Sequence, residues 1–335
     1  MEIRGIDPAD EALTRPLWEV GKVAEEQGRP WSPYWSWPAA RASFTSPTSP
    51  LEKLLLCAFD GQTLLGGAEI SLPRHDNHHL AWLEVYVDPQ HQRRGAGTAL
   101  VETAVDAVAR RGRSVVMVDV ATPLDGPESP GLRLARRLGF ETGAVNEMKV
   151  VDLDETRHLW PKLIEETAAS VADYSLRSWR GVCPDDLVAG YCALLESFNE
   201  ETPTGELDLE AEQWDETRLR EKESRFRSSG RQELITVAVA ADGEVVGVTE
   251  AMLSEDTPDR GFQGATIVAP GHRGHRLGLR LKATNAELLK GAFPACRTLL
   301  TGNADVNAAM NAVNDRLGYR AVEQILEMQR QVEPQ

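Results

Sequence analysis

Glycine, arginine and histidine crowd two short stretches of this sequence, HQRRGAGTAL (His91 to Leu100) and HRGHRLGLRL (His272 to Leu281). The first follows an apolar run, AWLEVYVDP, and leads into residues with helical spacing. A strand, a polar glycine loop and a helix, in that order, suit the binding of an anion. The first turn of a helix leaves backbone N–H groups without partners, and the helix dipole adds positive potential there. Glycine lets the backbone approach a phosphate, and arginine adds charge and directed donors. A Rossmann fingerprint would need G-x-G-x-x-G and a P-loop would need G-K-[ST]. The loop has only G-A-G, and Gly97-Thr98-Ala99 carries no lysine. A solvated strand-to-helix turn is the alternative reading.

Carboxylates near these loops could take a proton from an attacking nucleophile. Glu84 lies in the apolar run before the first loop, and Glu69 and Glu250 occupy matching places in two similar segments. Each could also be the solvent-facing member of an alternating strand. His75, His78 and His79 in RHDNHHL read as a polar hairpin loop, and no metal is expected. Cys57, Cys183, Cys192 and Cys296 are far apart and lack any CxxC pairing, so they read as reduced thiols.

The elements that must position these residues occur twice. LLGGAE (Leu64 to Glu69) matches VVGVTE (Val245 to Glu250), and VDPQH (Val87 to His91) matches VAPGH (Val268 to His272), both at an offset of 181 positions. RLGF (Arg137 to Phe140) matches RLGY (Arg316 to Tyr319) at an offset of 179. A period of this size implies two copies of one domain. Each copy reads as mixed α/β, a sheet with flanking helices. In the first copy KLLLCAF, TLLGGAEISL, LAWLEVYV, SVVMVDV and EMKVVDL read as strands. AGTALVETAVDAVARRG reads as a helix with Leu100, Ala104 and Val108 on one face. The second copy follows the same order, ending in DVNAAMNAVNDRL as a helix and AVEQILEMQRQV as a strand. The expected division is residues 1–152, a linking helix over 153–173 centred on Glu155 to Ala172, and residues 174–335.

The chain has 335 residues and a formal net charge of −16, with 41% apolar residues. That supports two real cores and argues against a general nucleic-acid binder, which needs a basic face. No stretch approaches the roughly 20 apolar residues of a membrane helix. MEIRGIDPADEALTRPLWEV is acidic and interrupted by proline, unlike a signal peptide, so a cytoplasmic protein is expected. EETPTGELDLEAEQWDE, Glu200 to Glu216, holds eight acidic residues and no Lys or Arg. It reads either as a solvated loop or as an acidic wall that attracts a cationic amine.

The first loop resembles motif A of the GNAT N-acetyltransferase superfamily, whose pattern is Q/R-x-x-G-x-G/A; Gln92, Arg93, Arg94, Gly95, Ala96 and Gly97 fit it in turn. The RLGF and RLGY endings are similar to the superfamily's, so the chain resembles a tandem GNAT protein of the mycothiol-synthase type. The resemblance implies acetyl-CoA with its pyrophosphate on Gln92 to Thr98, and a pantetheine arm bonded to the backbone near Val85 and Val87. In the second copy it implies Val268, Arg273, Gly274, His275, Arg276, Leu277 and Gly278, with Asn303 after the following strand and Asn307 on the next helix. Transfer would run directly from thioester to amine, with Glu84 and Glu250 as the candidate bases and Asn314 as a further candidate catalytic residue that could hold a water or a pantetheine amide.

Neither copy is complete. The superfamily often has a tyrosine four residues before the glycine of LGF, as acid for the leaving thiolate. Here Ala135 and Asn314 hold that place. The implied function is acetyl-CoA-dependent N-acetylation of a small cationic metabolite or antibiotic, by a monomer or homodimer that binds neither nucleic acid nor membrane. The rival reading is an acyl-CoA sensor or scaffold with one or both copies degenerate.

Overall fold

The computed structural model describes residues 1–46, 49–201 and 205–334, with the backbone alone at 198–201. In the first half the chain forms β1 (Glu2–Ile6), α1 (Glu11–Glu26), α2 (Trp37–Thr45), β2 (Leu51–Asp60), β3 (Thr63–Pro73), β4 (Leu80–Val87), α3 (Ala96–Ala109), β5 (Val115–Pro123), α4 (Pro130–Arg137) and β6 (Glu141–Asp152). The second half adds α5 (Leu153–Thr156), α6 (Trp160–Thr167), β7 (Ser175–Arg180), α7 (Val188–Glu201) and α8 (Glu216–Ser228). It continues with β8 (Arg231–Val239), β9 (Val245–Ser254), β10 (Thr257–Val268), α9 (Leu277–Ala292), β11 (Thr298–Ala304), α10 (Ala308–Arg316) and β12 (Arg320–Gln331). No helix among the described residues is long and apolar enough to cross a membrane.

Two compact units result, and they do not follow the linear order of the chain. Unit 1 comprises Met1–Asn146, the segment 205–210 and the chain from Glu323 onward. Unit 2 comprises residues 147–201 and 211–322. The division expected at 152 and 174 runs along the sequence, whereas the units follow contacts.

Unit 1 has the strand order β1-β2-β3-β4-β5-β12. Its neighbours run antiparallel except β4 and β5, which are parallel. Helix α3 buries Leu100, Ala104 and Val108 against one face, with Ile70, Leu83, Val116, Leu326 and Met328. The 3.6-residue spacing of those side chains explains why this stretch is a helix rather than a strand. Helix α1 covers the other face, where Leu17 packs on Leu55 and Cys57. A Cβ on Gly67 would stand 2.2 Å from the Leu17 side chain, so glycine is what lets the helix come down onto β3.

Unit 2 has the order β11-β10-β9-β8-β7, with β10 and β11 parallel. Helix α9 packs Leu279, Ala283, Ala286 and Leu289 onto one face. Tyr191, Leu194 and Leu195 of α7 and Leu219 of α8 pack onto the other. Where one linking helix was expected there are short pieces, α5, α6 and a 3₁₀ turn over Ala168–Val171. Pro161 sits in the first turn of α6, a position proline favours, and it prevents continuation from the preceding turn. Strand β6 begins earlier than the expected EMKVVDL, because ETGAVN carries little apolar signal.

Candidate active site

In unit 1, β4 and β5 pair only from Leu80↔Val115 to Trp82↔Met117, although β4 continues to Val87 and β5 to Pro123. The strands therefore part, leaving a gap bordered by Leu83 to Val87 and by Val118 to Pro123. The loop from Asp88 to Gly95 closes one end of it. Gln92 Nε2 donates to the Val87 carbonyl at 3.3 Å, tying the loop to the strand. Arg93 and Gly95 are left-handed, with φ of +65° and +89°, and Gly95 is the N-cap of α3. The amides of Ala96, Gly97 and Thr98 open the helix and have no intrahelical acceptor. A Cβ on Gly97 would meet Leu134 at 3.1 Å and Val87 at 3.6 Å, so this glycine sets the close approach of α3 to the strand and α4. Arg137 of α4 donates to Thr98 Oγ1 at 2.9 Å, which adds a further cation to this helix end.

Unit 2 repeats the geometry with different residues. Pairing of β10 with β11 stops at Phe262↔Leu300, and β11 goes on to Ala304. Arg273 Nε donates to the Val268 carbonyl at 3.0 Å, the same bond that Gln92 makes in unit 1. Gly274 and Arg276 are left-handed, with φ of +84° and +59°. These are the repeat positions of Arg93 and Gly95, so glycine and arginine have exchanged places on an unchanged backbone. Each loop carries one non-glycine residue at a cost of about 1 kcal/mol. Leu277 and Gly278 open α9 as Ala96 and Gly97 open α3. The Arg276 guanidinium pairs with Glu166 at 2.8 Å, and Arg316, the counterpart of Arg137, pairs with the same carboxylate. His275 packs near the Tyr174 ring, and the Tyr174 hydroxyl bonds His272 Nδ1 at 3.1 Å.

The carboxylates of unit 1 gather on the sheet face that α1 covers. Glu69 and Glu84 are directly opposite on β3 and β4, and Asp119 and Glu327 are directly opposite on β5 and β12. Glu69 pairs with Lys53. Glu84 accepts a hydrogen bond from the Tyr86 hydroxyl and keeps an open face to solvent. Burial among protein atoms, with the Glu69 charge second, pushes the Glu84 carboxyl up to about 7; the Tyr86 bond opposes the rise. Burial raises the Asp119 carboxyl as well, and burial together with Asp119 raises that of Glu327. Aromatic rings flank this face. Tyr34 meets Tyr86 edge to face at 5.6 Å, in a space that Gly21 of α1 leaves open.

Glu250 of unit 2 is in a different situation, 6% exposed and accepting a bond from Tyr191 of α7. Lys222 Nζ lies 3.6 Å from Glu250 and 3.0 Å from Glu233. Burial pulls the Lys222 ammonium down, but the two carboxylates outweigh it and hold it above its usual value. Burial raises Glu233 to about 7. The β10 register breaks between Gln263 and Thr266, and a Cβ on Gly264 would stand 3.2 Å from Glu250 Oε2. The carboxylate is thus enclosed by protein on every side described.

Of the asparagines, Asn307 caps α10, its Oδ1 accepting from the Met310 amide at 3.1 Å. Asn314 is fully buried and donates to Asn303 Oδ1 at 2.6 Å. Ala135 is buried against the core of unit 1. His78 Nε2 bonds the His75 carbonyl and His79 Nε2 the Asp208 carbonyl, and no group of metal-ligand type forms among the described residues. The acidic stretch 200–216 divides. Its segment 205–210 joins unit 1, where Leu207 packs with Leu80 and Met117 and the Asn77 amide bonds Glu210. Residues 202–204, and the side chains of Glu200 and Glu201, lie outside the described residues. Tyr86, Arg137, Asp119 and Glu327 escaped the sequence reading. Asp119 alone left a signal there, as the charge that interrupts the apolar run VVMVDV.

The acetyltransferase (GNAT) family profile matches residues 20–140 and again 187–319. An uncharacterized N-acetyltransferase of Methanocaldococcus jannaschii is 41% identical over 59 residues, 17% of this chain and 24% of its own length, so the chain matches about a quarter of that relative. A tandem GNAT protein from the clavulanic acid biosynthesis pathway, solved without AcCoA, has the same fold over 98% of both chains, with a TM-score of 0.79 and 24% identity. A GCN5-related N-acetyltransferase from Sphaerobacter thermophilus is similar over 98% of this chain and 95% of its own, with a TM-score of 0.64 and 16% identity.

Proposed function

The chain belongs to the GNAT acetyltransferase family, and from that premise we propose that unit 1 transfers an acetyl group from acetyl-CoA to the amine of a small cationic metabolite or antibiotic. The observation that carries this reading is Glu84, a solvent-reaching carboxylate beside the β4–β5 gap whose surroundings push it up to about 7. A base of that strength suits proton removal from an ammonium group near neutral pH.

The residues present fit the cofactor. Open space around Gly95, helix-opening amides at Ala96 to Thr98, and the cations Arg93, Arg94 and Arg137 suit a pyrophosphate. From Leu83 to Val87, β4 stays paired with β3 but leaves β5, so its β5-side edge offers backbone groups to an extended arm. When bound, acetyl-CoA supplies an activated acetyl thioester. The protein's own part begins with the carboxylates Glu69, Glu84, Asp119 and Glu327, which draw a cationic amine to this face. Glu84 takes the proton from the amine, directly or through one water, and Tyr86 holds the carboxylate in place with its hydroxyl. Ala135 stands where the superfamily often places a tyrosine acid and has no proton to give, so a departing thiolate would take its proton from solvent.

A second reading, an acyl-CoA-binding unit without turnover, is favoured for unit 2 by the enclosure of Glu250 between Tyr191 and Lys222. The deciding experiment is thiol release from acetyl-CoA with a panel of diamines, polyamines, aminoglycosides and neutral amines. Turnover confined to cationic acceptors is expected. Tight binding of acetyl-CoA with no turnover across the panel would defeat the enzymatic reading of unit 1.

A further inference from the structure

The widening between β10 and β11 is backed by three polar side chains in a row. Lys282 of α9 is 3% exposed, and its Nζ donates to Asn314 Oδ1 at 2.6 Å. Asn314 donates from Nδ2 to Asn303 Oδ1. Chemistry dictates this order: an ammonium group only donates, so Asn314 must give its oxygen to Lys282 and its nitrogen to Asn303. Asn303 lies three residues past Leu300, the last β11 residue paired with β10. With its oxygen engaged, it has Nδ2 left over, and no described residue accepts from it.

We infer that Lys282, acting through Asn314, fixes Asn303 with its amide N–H turned into the β10–β11 gap, where it donates to the arm of a second acyl-CoA. The inference rests on reading Arg273 to Gly278 as a phosphate-binding loop. The fold itself does not ask for the relay, because the repeat positions in unit 1 are Val101, Thr122 and Ala135. A lysine buried without a carboxylate in contact is costly to fold, so a stable scaffold gains nothing from it. Lys282 and Asn314 are positioning residues on this account, and Asn303 is the one that touches the ligand.

The test is the stoichiometry of acetyl-CoA binding to the whole chain by equilibrium dialysis at pH 6, below the value of about 7 to which burial, and then the nearby Lys149 charge, lower the Lys282 ammonium. Wild type is expected to bind two equivalents. Asn314→Asp keeps the side chain's volume and its bond to Lys282, but it can no longer donate to Asn303. That turns the Asn303 oxygen toward the gap. The second equivalent should weaken about 10-fold or more, with the first equivalent and the unfolding temperature kept. Asn303→Asp should do the same with the Lys282–Asn314 bond intact, and Lys282→Arg, which still donates, should retain both equivalents. Two equivalents of undiminished affinity in both asparagine variants would overturn the relay and leave the second loop standing. A wild-type chain that binds one equivalent, lost on Gly95→Asp, would overturn both.

Discussion

At the scale of single residues, the proposed chemistry turns on Glu84 and Gly95. A base acts in its ionised form, so the rate should rise as pH passes upward through about 7, where Glu84 gives up its proton. Glu84→Gln should remove that rising limb and lower kcat/KM by about 10²- to 10⁴-fold. Tyr86→Phe removes a hydrogen bond that favours the ionised form, so the limb should move to higher pH rather than vanish. A limb that stays in place in both variants would assign it to another group. At Gly95 an added Cβ would meet no atom within 4 Å, but φ is +89°. Gly95→Ala therefore tests backbone strain alone, about 1 to 2 kcal/mol, and Gly95→Asp adds repulsion of the pyrophosphate. Dialysis should show acetyl-CoA weakened at unit 1 by the first and abolished by the second. Equal, small effects would place the phosphate elsewhere.

At the scale of elements, one fork ties the end of α1 to β12. Arg29, just past α1, donates from Nε and an Nη to both oxygens of Glu323 on β12, each at 2.8 Å, and it also pairs with Glu25. Glu323→Ala should cost about 2 kcal/mol, less than the loss of a fully buried pair because Glu25 remains. Urea unfolding should then begin earlier, and an unchanged curve would show that the fork bears no weight. The loops and helices were legible in the sequence because glycine, arginine and a 3.6-residue period announce them. The facing of Glu69 with Glu84 was not, since register across a sheet is a property of two strands that neither states alone. Lys282 was hidden for a related reason: it occupies an apolar face of a helical pattern, where one polar letter reads as noise. The exchange of glycine and arginine between the loops became intelligible only from φ, because a shifted motif and a conserved backbone look alike in letters.

At the scale of the whole molecule, the completion of unit 1 by β12 is the decisive feature. Nothing in AVEQILEMQRQV separates a strand that serves its own copy from one that serves the other, so the repeat alone could not reveal it. Leu326 and Met328 contribute about 2 kcal/mol each to the unit 1 core, and β12 satisfies the edge of β5 from Val115 to Pro123. A fragment of residues 1–152 should therefore fail to bind acetyl-CoA, and a synthetic peptide of residues 320–332 should restore binding. A fragment that binds unaided would show β12 to be dispensable. The same arrangement sets a timetable on the ribosome. About 180 residues separate the end of β6 from the end of β12, which is roughly ten to forty seconds of translation. Through that interval the nascent first half waits with β5 uncovered, in need of shelter from neighbouring chains. The fold of the first half is thereby made to wait on a strand that the ribosome adds a whole domain later.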